Sequence, residues 1–172
     1  MPDLIGPGLR LLFVGINPGL WTAATQTHFC HPSNRFYPAL RAAGLIDFQF
    51  DAATGMSDRD RQRLVEAGIG ITNLVPRATV RASEISGQEL REGGVRLAAT
   101  VEQHRPRVVG VAGVTAYRTA FDKKAAVLGP QEERIGTAEL WVVPNPSGLN
   151  AHETTETLAE WFRRLGVAAG LS

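Results

Sequence analysis

Residues Leu11–Leu20 read LLFVGINPGL, an apolar run that breaks abruptly into a Gly-Ile-Asn-Pro-Gly turn. The run is too short for an ordinary helix and is bounded by turn residues, the pattern of a buried parallel strand. Pro18 fixes its own φ and disfavours helix at Asn17, so a stiff turn displays one amide where the strand leaves the sheet. In open α/β folds, ligands gather at the carboxyl ends of the strands. Taken alone, the motif reads more simply as a strand and a tight turn. A second turn of the same kind, near the C-terminus, alters that balance.

Working outward, apolar segments at 69–72, 108–112 and 140–143 join 11–14 as core strands. Helical patterns lie between them, which is the alternation of an α/β layer fold. Phe36, Tyr37, Leu40 and Ala43 sit at helical spacing behind Asn34, a capping residue type. Ser86 and Glu89 form a capping-box pattern ahead of Leu90, Leu97, Ala98 and Val101, and Pro106 is placed to stop that helix. Gly113 marks a turn into a short helix around 116–121. Leu158, Trp161, Phe162 and Leu165 follow the i, i+3, i+4, i+7 rule of a final amphipathic helix. The stretch 47–60, polar and containing Gly55, reads as a surface loop. Without repeats, low-complexity tracts or linkers, the expectation is one domain over 1–172: a three-layer α/β/α arrangement around a mostly parallel central sheet.

The chain's 172 residues suffice to bury a sizeable core. The longest apolar stretches fall far short of a membrane span, and MPDLIGPGLR lacks the regions of a secretory signal, so a cytoplasmic location is expected. Cys30 is the single cysteine, which excludes an intrachain disulfide, a cysteine-ligated cluster and a cysteine-rich zinc site. Its thiol is either a nucleophile near His28 and His31 or, the commoner role, a small filler beside a pocket. The four histidines offer no ligand spacing, so neither a metal nor another cofactor is expected. A net charge of +1 argues against attachment to nucleic acid by bulk electrostatics and leaves local basic patches open. Arginines outnumber lysines 16 to 2, a bias that fits phosphate contacts but is better explained by genomic base composition.

The second turn lies in LWVVPNPSGLN, Leu140–Asn150. Again an apolar strand meets Asn-Pro, here followed by Ser147, Gly148 and Leu149. A leucine on a Gly-Ser loop either folds back onto the core or serves as a wedge entering a base stack. Phe29, in THFCHPSNRF, is either a core anchor or a platform on which a planar base stacks, a contact of roughly 1–3 kcal/mol. Trp21 and His28 share that ambiguity.

Five segments occur in order: GINPGL, FCHPSNRF at 29–36, TNLVPRAT at 72–79, SGQELREGG at 86–94 and NPSGLN. Together they resemble the mismatch-specific uracil/thymine DNA glycosylases of the uracil-DNA glycosylase superfamily, over about 4–162. The resemblance implies one α/β/α domain, a monomer, acting on double-stranded DNA that carries a mismatched or damaged base. It implies that Asn17 positions the attacking water and that Phe29 stacks on the flipped base. The main chain at Ile16 and Phe29 would read the base's polar edge. Asn145 would open the second active-site loop, and Ser147, Gly148 and Leu149 would fill the gap left in the duplex. Asn73, in TNLV, looks like the thymine-excising branch and would hydrogen-bond the base. Gly19, Trp21 and His28 are auxiliary candidates.

Two departures stand out. Some relatives place an arginine two residues after the wedge leucine, where this chain has Ala151 followed by His152. Reading of an opposite guanine then rests on backbone groups or is weaker. Trp21 stands where a smaller residue is common; it restricts the pocket if it faces it and is irrelevant to specificity if it packs on the sheet.

An amide takes up no proton at neutral pH, so Asn17 can only orient water through its carbonyl oxygen. Chemistry slower than that of superfamily members with a carboxylate follows. Backbone N–H groups at 15–19 and 147–148 are expected to face the charge developing on the leaving base. His28 is either a source of a proton or positive charge, or a loop imidazole in solvent. No amine lies in the motifs, so a Schiff-base lyase step is not expected and the product is an abasic site. Mismatched pairs cost less to open, which favours uracil opposite guanine. The rival from another class is a module that binds mismatched or abasic DNA without cleaving it. A nucleotide-binding enzyme is unsupported, for GINPGL lacks G-x-G-x-x-G spacing and no P-loop is present.

Overall fold

The computed structural model of the protein describes residues 1–171. Its sheet grows from the opening apolar run. β1 (Leu11–Gly15) pairs in parallel with β2 (Ile69–Asn73) on one side and β3 (Val108–Ala112) on the other. β3 pairs in parallel with β5 (Ala138–Val143), and β4 (Gly129–Ile135) closes that edge antiparallel to β5, giving the order β2-β1-β3-β5-β4. Every residue of β1 and β3 is buried, as a strand covered on both faces requires. Gly15 ends β1 and Val143 ends β5; both strands run parallel to β3 between them, which places both Asn-Pro turns at the same carboxyl edge.

Alternate residues of the strands face two cores. Phe13, Ile71, Trp141 and Val143 pack with α2 (Phe36–Ala42) and α6 (Thr155–Ala168), joined by Leu64 of α3 (Asp58–Glu66). Leu12, Val14, Val109, Val111 and Val142 pack with α4 (Gly87–His104) and α5 (Val114–Ala120). The sheet is therefore sandwiched by helices, the expected three-layer α/β/α form. A short helix, α1 (Leu20–Thr25), follows the first turn.

Several local expectations need correction. β4, GPQEERI, is mostly polar and largely exposed, with Pro130 near its start; an edge strand tolerates both, so it carries no apolar signature. The loop expected over 47–60 ends at Ser57, whose side chain accepts from Asp60 N–H to cap α3. α3 buries only Leu64, too little for a clear amphipathic stripe. The cap residue of α2 is Arg35 and not Asn34, although the Asn34 side chain still accepts from Phe36 N–H (2.9 Å), one residue upstream. At α4 the Ser86–Glu89 capping box is formed as read. That helix ends through Arg105 in the left-handed conformation, φ +49°, before Pro106 is reached.

Candidate active site

The turn after β1 runs beside the chain that leaves β2. Leu74 N–H donates to Gly15 O, Val75 N–H to Ile16 O (both 2.9 Å), and Thr79 N–H to Pro18 O (3.2 Å). This second segment fixes Asn17. Asn17 Nδ2 donates to Arg77 O at 2.9 Å and to Thr79 Oγ1 at 2.8 Å, with a longer contact to Pro18 O at 3.2 Å. A carbonyl only accepts, so the amide nitrogen must face Arg77. Thr79 spends its own proton on Arg81 O (2.7 Å), which leaves its oxygen free to accept. With its nitrogen so engaged, Asn17 has Oδ1 to offer to the cleft it lines.

Across the cleft, Phe29 stacks on the fully buried Phe36, ring centroids 4.2 Å apart and 24° from parallel. Its backbone is left-handed, φ +56°, a conformation that costs a side chain roughly 1–2 kcal/mol. Neighbouring bonds hold it there: Tyr37 Oη donates to His28 O (2.7 Å), and Cys30 N–H donates to Thr22 Oγ1 (3.3 Å). Gly15 lets Phe29 and Asn73 meet. A Cβ at Gly15 would stand 2.6 Å from Asn73 Oδ1 and 3.1 Å from the tip of the Phe29 ring.

His28 is not a loop imidazole in solvent. It is buried, and burial lowers its pKa from the ordinary imidazole value, partly opposed by the bond to Pro2 O. Its Nε2 faces the Pro2 carbonyl at 3.1 Å and therefore bears the proton. Nδ1 is then an acceptor and takes a hydrogen bond from Asn73 Nδ2 at 3.1 Å. The neutral ring thereby sets which way the Asn73 amide points.

The loop after β5 is organised by its own side chains. Asn145 Oδ1 accepts from Ser147 N–H (2.9 Å), Ser147 Oγ accepts from Leu149 N–H (3.2 Å), and Asn150 Nδ2 donates to Asn145 O (3.1 Å). Leu149 stands at the tip, 94% exposed, so the folded-back alternative is excluded. The Ser147 N–H is used inside the loop, contrary to the expectation that it faces the leaving base. The Ile16 carbonyl accepts from Val75 N–H and keeps one lone pair. Gly148 lies against Ser33, where a Cβ would come within 2.4 Å of the Ser33 hydroxyl.

These parts enclose one cleft of about 550 Å³, large enough for a nucleoside-sized ligand. Ile16, Asn17, Gly19, His28, Phe29, Asn73, Asn145, Ser147 and Leu149 all line it. No Asp or Glu does, so the lining holds no carboxylate base and no negatively charged side chain. Trp21 lies outside the lining: its Nε1 donates to Ala52 O and its ring tilts against His31, so it does not narrow the cleft. Cys30 is buried, its Sγ toward Ala52 O and its thiol pKa raised by burial, the filler role. Reading by residue type missed the wall formed by Thr79, Val80 and Arg81 and the clamp of Arg35 on the second loop. The only signal for the wall was its continuity with TNLVPRAT. Among the described residues, no helix is long and apolar enough to cross a membrane.

In solved structures the same architecture is found in an archaeal protein from Methanosarcina acetivorans, determined by solution NMR and provisionally named a uracil DNA glycosylase. The two chains are 17% identical, align with a TM-score of 0.61, and the match covers 95% of each. At that identity the likeness is one of fold. The sequence profile of the uracil DNA glycosylase superfamily matches residues 2–166. The chain therefore belongs to the uracil DNA glycosylase superfamily, a membership that implies an enzyme hydrolysing N-glycosidic bonds in DNA.

Proposed function

We propose that this protein is a monofunctional, mismatch-directed uracil-DNA glycosylase, which flips uracil out from opposite guanine, hydrolyses its glycosidic bond and leaves an abasic site. The reading rests above all on Asn17. Its amide nitrogen is bonded to Arg77 O and Thr79 Oγ1, and its oxygen is the group left for a water at the sugar C1′. A carboxylate-free cleft suits a leaving base that departs as an anion. Phe29 supplies a stacking surface for that base, and Asn73, held by His28, an amide for its polar edge. Asn145, Ser147 and Leu149 border the same cleft, with Gly148 between the last two and Leu149 free to enter the base stack. Thymine and ethenocytosine opposite guanine are further candidate substrates.

Orientation of water without proton uptake gives slow chemistry, so selectivity falls to flipping, which a weak G·U pair eases. The test is a duplex with one G·U pair, incubated with protein and treated with alkali. Strand cleavage at the uracil is expected, and Asn17→Ala is expected to retain duplex binding while losing most turnover. No cleavage with G·U, G·T or ethenocytosine duplexes would overturn the reading in favour of a binding module. Full activity of Asn17→Ala would overturn the role of Asn17.

A further inference from the structure

Helix α4 touches the chain leaving β2 with one face. Glu89, Gly93 and Arg96 are spaced i, i+4 and i+7, and each contacts that segment. At Gly93 the two backbones meet, for an added Cβ would lie 2.2 Å from Leu74 O. Arg96 Nη2 donates to the same carbonyl at 2.7 Å. Glu89 receives Arg77 in a two-pronged pair, Nε to Oε1 at 2.9 Å and Nη2 to Oε2 at 3.2 Å, while Arg77 Nη2 also donates to Glu84 O at 3.1 Å.

The main chain of Arg77 is the part of this segment that Asn17 uses. Backbone bonds tie the segment to the first turn at Leu74, Val75 and Thr79, and Pro76 has no N–H to add another. The Arg77 carbonyl lies within that untied interval, 2.9 Å from Asn17 Nδ2. Its side chain is anchored instead, on Glu89.

We infer that Glu89 is a positioning residue for Asn17: by fixing the Arg77 side chain on α4, it holds the carbonyl that orients the amide. The inference rests on the role proposed above for Asn17 as the water-holder. It also gives the exposed Arg77–Glu89 pair a task, since such pairs contribute little to stability. Misplacing a reacting water by a fraction of an ångström is enough to slow chemistry, as an error of about 1 Å can cost roughly 100-fold.

Two variants separate positioning from helix capping. Glu89→Gln keeps an acceptor for Ser86 N–H, as a capping box allows, but loses the charged fork for Arg77. Ser86→Ala removes the hydroxyl that caps Glu89 N–H and leaves the Arg77 pair intact. Single-turnover excision from a G·U duplex, duplex affinity, melting temperature and the side-chain amide NMR signals of Asn17 (assigned by their loss in Asn17→Asp) are measured for each.

Glu89→Gln is expected to slow excision by roughly tenfold, with duplex affinity unchanged and the Asn17 amide signals shifted or exchanging faster. Arg77→Lys should move in the same direction. Ser86→Ala is expected to lower the melting temperature and leave rate and amide signals at wild-type values. A wild-type rate with unshifted amide signals in Glu89→Gln overturns the inference, as does Ser86→Ala slowing excision as much as Glu89→Gln. The amide signals also read the tether without catalysis. A wild-type protein inactive on uracil, with signals that still respond to Glu89→Gln alone, would sink the proposed reaction and keep the tether.

Discussion

Arg35 Nη1 donates to the main-chain oxygens of Ser147 (3.2 Å) and Asn150 (3.0 Å), and so fastens the loop that carries Leu149 to the segment that carries Phe29. Arg35 N–H adds a third bond, to Pro146 O at 2.9 Å. Leu149 and Phe29, proposed above as wedge and stacking platform, are thus mounted on one bracket. Where some relatives carry an arginine beyond the wedge, this chain has exposed Ala151 and His152. Here a guanidinium works beneath the loop instead.

Arg35→Ala should lower stability by about 2 kcal/mol, the range for charge-assisted hydrogen bonds. Excision from duplex DNA should fall roughly tenfold, on the order of 1.4 kcal/mol, with a smaller loss on single strands, where no stack need be opened. Equal losses on both substrates would show that the clamp does not serve the wedge. Parallel single-turnover assays and thermal melts read both effects.

Leu149→Ala should leave the melting temperature unchanged, because the side chain is almost wholly in solvent. Duplex excision should drop severalfold while excision from single-stranded DNA is retained. A fluorescent base analogue beside the uracil would report the missing insertion directly.

Gly15→Ala places a methyl against Asn73 Oδ1 and the Phe29 ring. Overpacking of this kind costs about 1–3 kcal/mol. Both side chains, proposed above to contact the base, must shift, so KM for the G·U duplex should rise more than kcat falls. Binding of free uracil, measured by calorimetry or NMR titration, should weaken in step.

Below the ordinary imidazole range, His28 gives the protein an acid-sensitive point. Its folded-state pKa is lowered by burial, so the unfolded chain binds the proton more readily. The stabilisation is present above about pH 6.5 and is lost as pH falls through that value toward the folded pKa. Protonation also turns Nδ1 into a donor facing Asn73 Nδ2, which forces the amide to reverse. Melting temperature and G·U excision are expected to decline together as the pH falls below about 6.5. In His28→Gln the decline in melting temperature over that window should flatten.

Glycine, proline and asparagine at 15–19 and 144–148 were legible because they act on their own backbone and immediate neighbours. The strands at 69–72 and 108–112 were legible for a similar reason, each being a short, largely apolar run bounded by turn residues and too short for an ordinary helix. β4 was not: an edge strand needs no apolar face, and its only requirement is the neighbouring β5. α3 escaped notice because a single buried leucine secures it.

The site divides along the same line. Sequence alone determined which residue types stand at the strand ends, and that the Asn17 amide takes up no proton at neutral pH, so that in the proposed reaction it could only orient water. Tertiary structure decided which atom of that amide is available, through Arg77 and Thr79, 60 and 62 residues away. It also decided that His28 is buried, which lowers its pKa, that Trp21 turns away to Ala52, and that Leu149 projects into solvent. Turn geometry follows from steric limits within a few bonds, whereas the direction of an amide, a ring's protonation state and a side chain's exposure depend on partners that only folding brings near.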